Sequence, residues 1–181
     1  MPRPAKPLDT QCSLLDEPIA GGGVAAAMRL LCDEMLARLA RWLRAAGHDT
    51  DLAGPGEPDS SLVARALGED RLLLTRDRHL ALRHETAARL LVLRAERPDG
   101  QALELVRTVD IDWLAAPFTR CLIDNRPLRD ATEAERSEAP GQTRALAGPF
   151  LSCPECGRLY WPGSHYRRML ARLELWAAAG A

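Results

Sequence analysis

Hydrophobic positions change period repeatedly once the chain passes residue 28. RLLCDEM, residues 29–35, opens with consecutive apolar residues and predicts a strand. EMLARLARWLRAAG, residues 34–47, spaces Leu36, Leu39, Leu43 and Ala46 three or four apart and predicts a helix with one apolar face, stopped by Gly47. DTDLAG and the Pro/Gly loop GPGEP follow, and DSSLVARALGED then predicts a helix that Asp59 is placed to cap. RLLLT reads as a buried strand, RHLALRHE as a short helix, ARLLVL as a strand, and GQALELVRTVDIDWLAA as a closing helix. Strands alternating with helices imply an α/β fold, a mostly parallel sheet flanked by helices.

Three regions follow. Residues 1–27 mix prolines, a glycine triplet and polar residues without period, and are expected to be a disordered leader or a mis-annotated start. Met28 is then the expected true start, and native N-terminal peptides from before it would overturn that; Cys12, in the leader, is given no role. Residues 28–116 form the α/β domain, bounded by Pro117. Residues 117–176 are turn-rich and cysteine-bearing, with DATEAERSEAPGQTRALAG expected as a mobile loop between FTRCLIDNRPLR and FLSCPECGRLYWPGSHYRRM. In the last of these, Ser164 is placed to cap a helix whose Tyr166, Met169, Leu170 and Leu173 share a core-facing side.

The totals narrow the class. At 181 residues the chain has length for one domain and a small appendage. The net charge of -1 advertises no global affinity for nucleic acid, so any such binding must be local. Lys6 is the only lysine among 24 basic residues, a compositional bias that weakens the meaning of any single arginine. No secretory signal or membrane-length apolar run is read, and the odd count of five cysteines suits a reducing, cytoplasmic setting.

Candidate chemistry begins with acids. In an open parallel sheet the ligand crevice lies beyond the carboxyl ends of the strands. Asp33 ends the first strand, Asp77 follows LLLT, and Asp59 opens a helix whose preceding loop leaves the same edge. Taken singly, each has an ordinary explanation as strand end, turn acid or cap. Taken together, three carboxylates repel unless a cation sits among them, and hard oxygen ligands select Mg²⁺ or Mn²⁺. Such a site suits water attack on a phosphodiester. The GxxxxGK[ST], GxSxG and GxGxxG motifs are absent, and the α/β part lacks the lysine of a phosphoacceptor receiver. Cys32, beside Asp33, reads as a small core residue.

LLCDEMLARLARWLRAAGHDTD, DSSLVARALGEDRLLLTRDRHL and CPECGRLYWPGSHYRRM together resemble the Mut-seven C-terminal RNase domain family over about residues 28–170. The resemblance implies a PIN-like nuclease domain with an appended zinc ribbon. It also implies metal-dependent ribonuclease activity, with Asp33, Asp59 and Asp77 on the acidic positions. PIN-type sites often carry a fourth carboxylate, for which Glu34 and Glu57 are the nearest candidates.

Cys153-Pro-Glu-Cys156-Gly has the spacing of a metal knuckle. The resemblance makes Cys121-Leu-Ile-Asp124 its partner, with Asp124 where the family usually has cysteine. Cys121, Asp124, Cys153 and Cys156 then form a zinc site of three sulfurs and one oxygen, or a packed hairpin pair that has lost its zinc. His165 is a spare ligand candidate. Arg76, Arg78, Tyr160, Trp161, His165, Arg167 and Arg168 are candidate RNA contacts through stacking and phosphate binding, alongside their plainer roles as core or solvated surface. The leading expectation is a ribonuclease using Mg²⁺ or Mn²⁺ at the acids, with RNA gripped partly by the C-terminal module. The alternative is a catalytically silent zinc-ribbon module that binds RNA or protein.

Overall fold

The computed structural model describes residues 27–83, 89–143 and 146–180. The expected leader, with Cys12, lies outside the described residues apart from Ala27. From Met28 the elements run β1 (Arg29–Cys32), a single 3-10 turn (Glu34–Leu36), α1 (Ala37–Ala45), β2 (Asp49–Leu52), α2 (Asp59–Gly68), β3 (Leu72–Thr75), α3 (Arg78–Arg83), β4 (Leu90–Val92) and α4 (Pro98–Val109). The four strands are parallel in the order β2-β1-β3-β4.

The central strands are covered on both faces, which is why they read as unbroken apolar runs. Leu30, Cys32, Leu72 and Leu74 face the core shared with α1 and α4. Leu31 and Leu73 face the opposite way, against Leu62, Val63 and Ala66 of α2 and Leu80 of α3. Cys32 is fully buried, as expected of a core residue, and burial pushes its thiol up to about 12.

The helix read over residues 34–47 is observed as the 3-10 turn and α1, with Leu36, Leu39, Leu43 and Ala46 all buried. It ends where Gly47 takes φ 97, letting the Gly47 and His48 amides return to the Arg44 and Leu43 carbonyls. A Cβ on Gly47 would land on the Ala116 carbonyl, because residues 116–118 pass directly under the end of α1.

β2 is the polar DTDL, to which the hydrophobic pattern assigned no element. It is an edge strand whose outer backbone groups are satisfied by side chains. The Thr50 N–H donates to Asn125 Oδ1 at 3.0 Å, and the Thr50 carbonyl accepts from Arg44 Nε at 2.8 Å. Covering the edge in this way removes an open pairing surface.

β5 (Arg129–Asp130), α5 (Glu133–Glu138), β6 (Leu151–Ser152), β7 (Leu159–Tyr160) and α6 (Ser164–Ala178) complete the chain, with β5-β6-β7 antiparallel. Met169 and Leu173 are buried, Tyr166 and Leu170 are partly so, and Trp176 continues the stripe. Trp176 meets Trp42 of α1 and Trp113 edge to face, so α6 packs in the same core as α1 and α4.

Five local expectations are corrected. Asp59 is the first residue of α2 and Pro58 holds the N-cap position without a side-chain cap bond; Gly163 likewise precedes α6, whose first residue is Ser164. α4 begins at Pro98 and stops at Val109, where Asp110 turns left-handed at φ 52. Only residues 29–32 of RLLCDEM form the strand, since the chain enters the 3-10 turn directly after Asp33. The segment expected as a mobile loop contains α5, built on a capping box between Thr132 and Glu135.

Candidate functional site

The order β2-β1-β3-β4 sends the crossovers leaving β1 and β3 to opposite sides, so the switch point lies between those two strands. Asp33 and Asp77 emerge there. The Asp33 amide bonds the Leu74 carbonyl at 2.9 Å, continuing the ladder one residue past β1. The hydroxyl of Thr75, fully buried at the end of β3, donates to Asp33 Oδ2 at 2.6 Å and accepts the Asp77 N–H at 3.0 Å. Asp77 Oδ1 in turn accepts the His79 N–H at 2.7 Å at the start of α3. One hydroxyl therefore fixes one acid by its carboxylate and the other by its backbone, and Thr75 was not among the expected site residues. Its signal in the sequence is the Thr-x-Asp spacing of a strand end followed by a turn.

Asp59 reaches the same edge at the start of α2, and all three aspartates are partly exposed. Around them, Glu34 Oε2 accepts the Gly56 N–H at 2.9 Å and Glu57 Oε2 accepts the Gly54 N–H at 3.0 Å. Both glutamates thus shape the loop before α2. Glu57 also pairs with Arg65 at 3.3 Å. Arg76 points toward Glu96 at 3.7 Å, while its buried Nε finds no protein partner.

Among the described residues, one set of at least three Cys, His, Asp or Glu brings its ligand atoms within 4.8 Å of one another: Cys121, Asp124, Cys153 and Cys156. The aspartates at the sheet edge are not drawn together in that way. His165 is exposed on α6 and outside the cluster.

Two copies of one turn build the cluster. The Cys121 N–H bonds the Arg126 carbonyl and the Cys121 carbonyl accepts from Asn125; Cys153, Arg158 and Gly157 repeat both bonds. Asp124 therefore stands where Cys156 stands in the other copy. Its Oδ2 lies 3.4 Å from Cys121 Sγ and 3.5 Å from Cys153 Sγ, and Cys121 and Cys156 are 3.8 Å apart. Thiolates about 2.3 Å from a tetrahedral zinc stand about 3.8 Å from each other. The donor set and its spacing fit a zinc-sized ion.

Cys156 is held up to about 12 by its bond to Asp124, and the same bond holds Asp124 below the usual carboxylate range. Burial acts to raise the Cys121 thiol, but donors outweigh it, chiefly the Tyr160 hydroxyl at 3.2 Å and the Asp124 and Ile123 amides, and the thiol sits low. A cation binding here would release protons. Tyr160, expected as an RNA contact, spends its hydroxyl within the knuckle and also accepts the Leu122 N–H at 3.0 Å.

The Mut7-C RNAse domain model matches residues 28–173. The chain belongs to the Mut7-C RNAse domain family. The match covers both the parallel sheet with its acidic edge and the two-knuckle cluster, so the Mut7-C domain accounts for most of the chain. No curated protein and no solved structure matches it. No helix among the described residues is long and apolar enough to cross a membrane.

Proposed function

We propose that this protein hydrolyses RNA phosphodiester bonds at the carboxyl edge of its sheet, with Asp33, Asp59 and Asp77 holding Mg²⁺ or Mn²⁺. Membership of an RNAse domain family supports the substrate class. The observation that carries the site is the Thr75 bridge between Asp33 and Asp77 at the switch point. A buried hydroxyl that orients a carboxylate at a strand end positions a ligand before that ligand arrives. When bound, such a cation supplies Lewis-acid activation of water and charge neutralisation at the leaving oxygen. The three acids are not gathered within ligand distance of one another among the described residues, so a cation here would take one or two carboxylates directly and keep several waters, as Mg²⁺ does.

The remaining steps belong to the chain. Thr75 donates to Asp33 Oδ2, which leaves Oδ1 for the cation. The His79 amide restrains Asp77 Oδ1. Arg76, between Thr75 and Asp77 in the chain, supplies a guanidinium at the same edge for a phosphate oxygen. The C-terminal module holds zinc in a structural role and helps grip RNA.

The test is incubation of the purified protein with structured and single-stranded RNAs, with and without manganese. Asp77→Asn should lose cleavage while keeping its fold and its RNA affinity, because Asn Oδ1 still accepts the His79 amide. Full activity in Asp77→Asn, checked against contaminating nucleases, would sink the acidic-edge assignment.

A further inference from the structure

The arginines of this chain divide into two populations. Arg44, Arg65, Arg71, Arg120 and Arg129 are spent on carboxylates or backbone carbonyls. Arg38 and Arg41, one turn apart on α1, have no side-chain ion pair or hydrogen bond to another described residue, and neither does Arg168 on the facing turn of α6. Other arginines, among them Arg107, Arg158 and Arg167, also lack a side-chain partner among the described residues, so the lack of a partner does not by itself mark this seam. What sets Arg38, Arg41 and Arg168 apart is that they line one shared hollow.

The seam is a groove. Arg38, Arg41, Trp42, His165, Arg168 and Arg172 line one hollow of about 370 Å³. Through Arg41, His165 and Met169 it joins a largely apolar cavity of about 420 Å³ beside the cysteine cluster, where Trp161 and Tyr166 present half-buried rings. Through Arg38, Trp42 and Arg172 it joins a third hollow of about 450 Å³ that adds Arg97. Arg172 is the partial exception to the unpaired set, since Asp99 holds it, and it also lies over the Trp42 and Trp176 rings. Arg38 lies in the first turn of α1, soon after Asp33, and Arg97 follows β4, so this end of the groove opens at the carboxyl edge of the sheet.

We propose that the α1/α6 groove is a binding track for single-stranded RNA, running from an apolar base pocket beside the knuckles to the acidic edge. Arg38, Arg41, Arg97 and Arg168 take successive phosphates, and the cavity at Trp161 and Tyr166 accepts an unstacked base. Unpaired cations interleaved with aromatic rings match a strand whose phosphates and base faces are both exposed, a feature that duplexes hide. This track rests on the ribonuclease reading for its direction and extends it to residues on α1 that the sequence did not single out.

The experiment is fluorescence anisotropy of a labelled single-stranded RNA with the full chain, in buffer free of added divalent metal and across a salt series. Arg41→Ala/Arg168→Ala should weaken binding about tenfold or more and lower the log–log salt slope by about 0.7 for each lost phosphate contact. Arg29→Ala, at the amino end of β1, removes a cation from the opposite edge and should change neither; thermal melts confirm that each variant folds. Unchanged affinity in the double variant overturns the track, even if Asp77-dependent cleavage persists and the nuclease reading stands. Lost affinity with cleavage surviving in Asp77→Asn keeps the track and removes the acidic-edge assignment. Binding to phosphatidylserine vesicles with no affinity for RNA also overturns it.

Discussion

Asn125 and Gly157 occupy the same place in two copies of one turn: their φ angles are 60° and 66°, and each N–H returns to the carbonyl of the cysteine four residues earlier. Glycine adopts that conformation freely and asparagine tolerates it. The asparagine does more than fill the position. Its Oδ1 accepts the Thr50 N–H and its Nδ2 donates to Asp49 Oδ1 at 2.7 Å, tying the first knuckle to the edge of the parallel sheet.

Replacing Asn125 should separate these two contributions. Asn125→Gly keeps the backbone conformation and loses the bonds, a cost of about 1–3 kcal/mol if the Thr50 amide is left unpaired. Asn125→Ala adds left-handed strain of about 1–2 kcal/mol. Urea denaturation should rank wild type above Gly and Gly above Ala; equal stability of the two variants would show that the strain is no larger than the roughly 0.4–1 kcal/mol of unfolded-chain entropy that alanine saves over glycine.

At Asp124, the oxygen in a set of three sulfurs, Asp124→Cys should tighten zinc and raise the chelator concentration needed to destabilise the protein. Cys153→Ser should weaken the metal in either background. Metal content of the four purified proteins is the measurement. Zinc absent from both wild type and Asp124→Cys would reject the cluster as a metal site without touching the acidic edge.

Thr75→Val conserves shape and removes the hydroxyl, stranding Asp33 Oδ2 and the Asp77 amide. We expect a stability loss of about 1–3 kcal/mol together with a fall in RNA cleavage, and substantial recovery of both in Thr75→Ser. Cleavage by Thr75→Val at the wild-type rate would mean that the bridge does not organise the site.

His48 is buried and neutral, with Nδ1 accepting the Met28 amide at 3.2 Å and Nε2 placed to donate to the Asp112 carbonyl at 2.8 Å. Burial, the largest influence, holds its pKa below the ordinary value. The folded state therefore binds a proton less readily than the unfolded chain. Stability should be at its full value above about pH 6.5, the unfolded reference, and fall as pH drops below it toward the lower folded value. Thermal melts between about pH 8 and pH 5, bracketing that reference, should show the decline in wild type and a flatter profile in His48→Gln. Parallel profiles would assign the acid sensitivity to other groups.

The hydrophobic pattern alone determined the alternation of strands and helices, the buried face of α1, the stop at Gly47 and the core stripe of α6. Each follows from local period or from one residue's conformational freedom. The order of acids and cysteines was enough to name the family. Tertiary structure decided what local period cannot carry. β2 is extended despite its polar sequence because β1 pairs with it and Arg44 and Asn125, far apart in the chain, satisfy its outer edge. α5 was legible in the Thr132/Glu135 spacing but was outweighed by the polarity of its surroundings. Only folding could bring Asp124 between two cysteines some thirty residues away, join Asp33 to Asp77 through Thr75, and set the arginines of α1 beside those of α6. Those relationships depend on chain crossings and helix packing, where residues distant in sequence become neighbours and a one-dimensional pattern holds no distance.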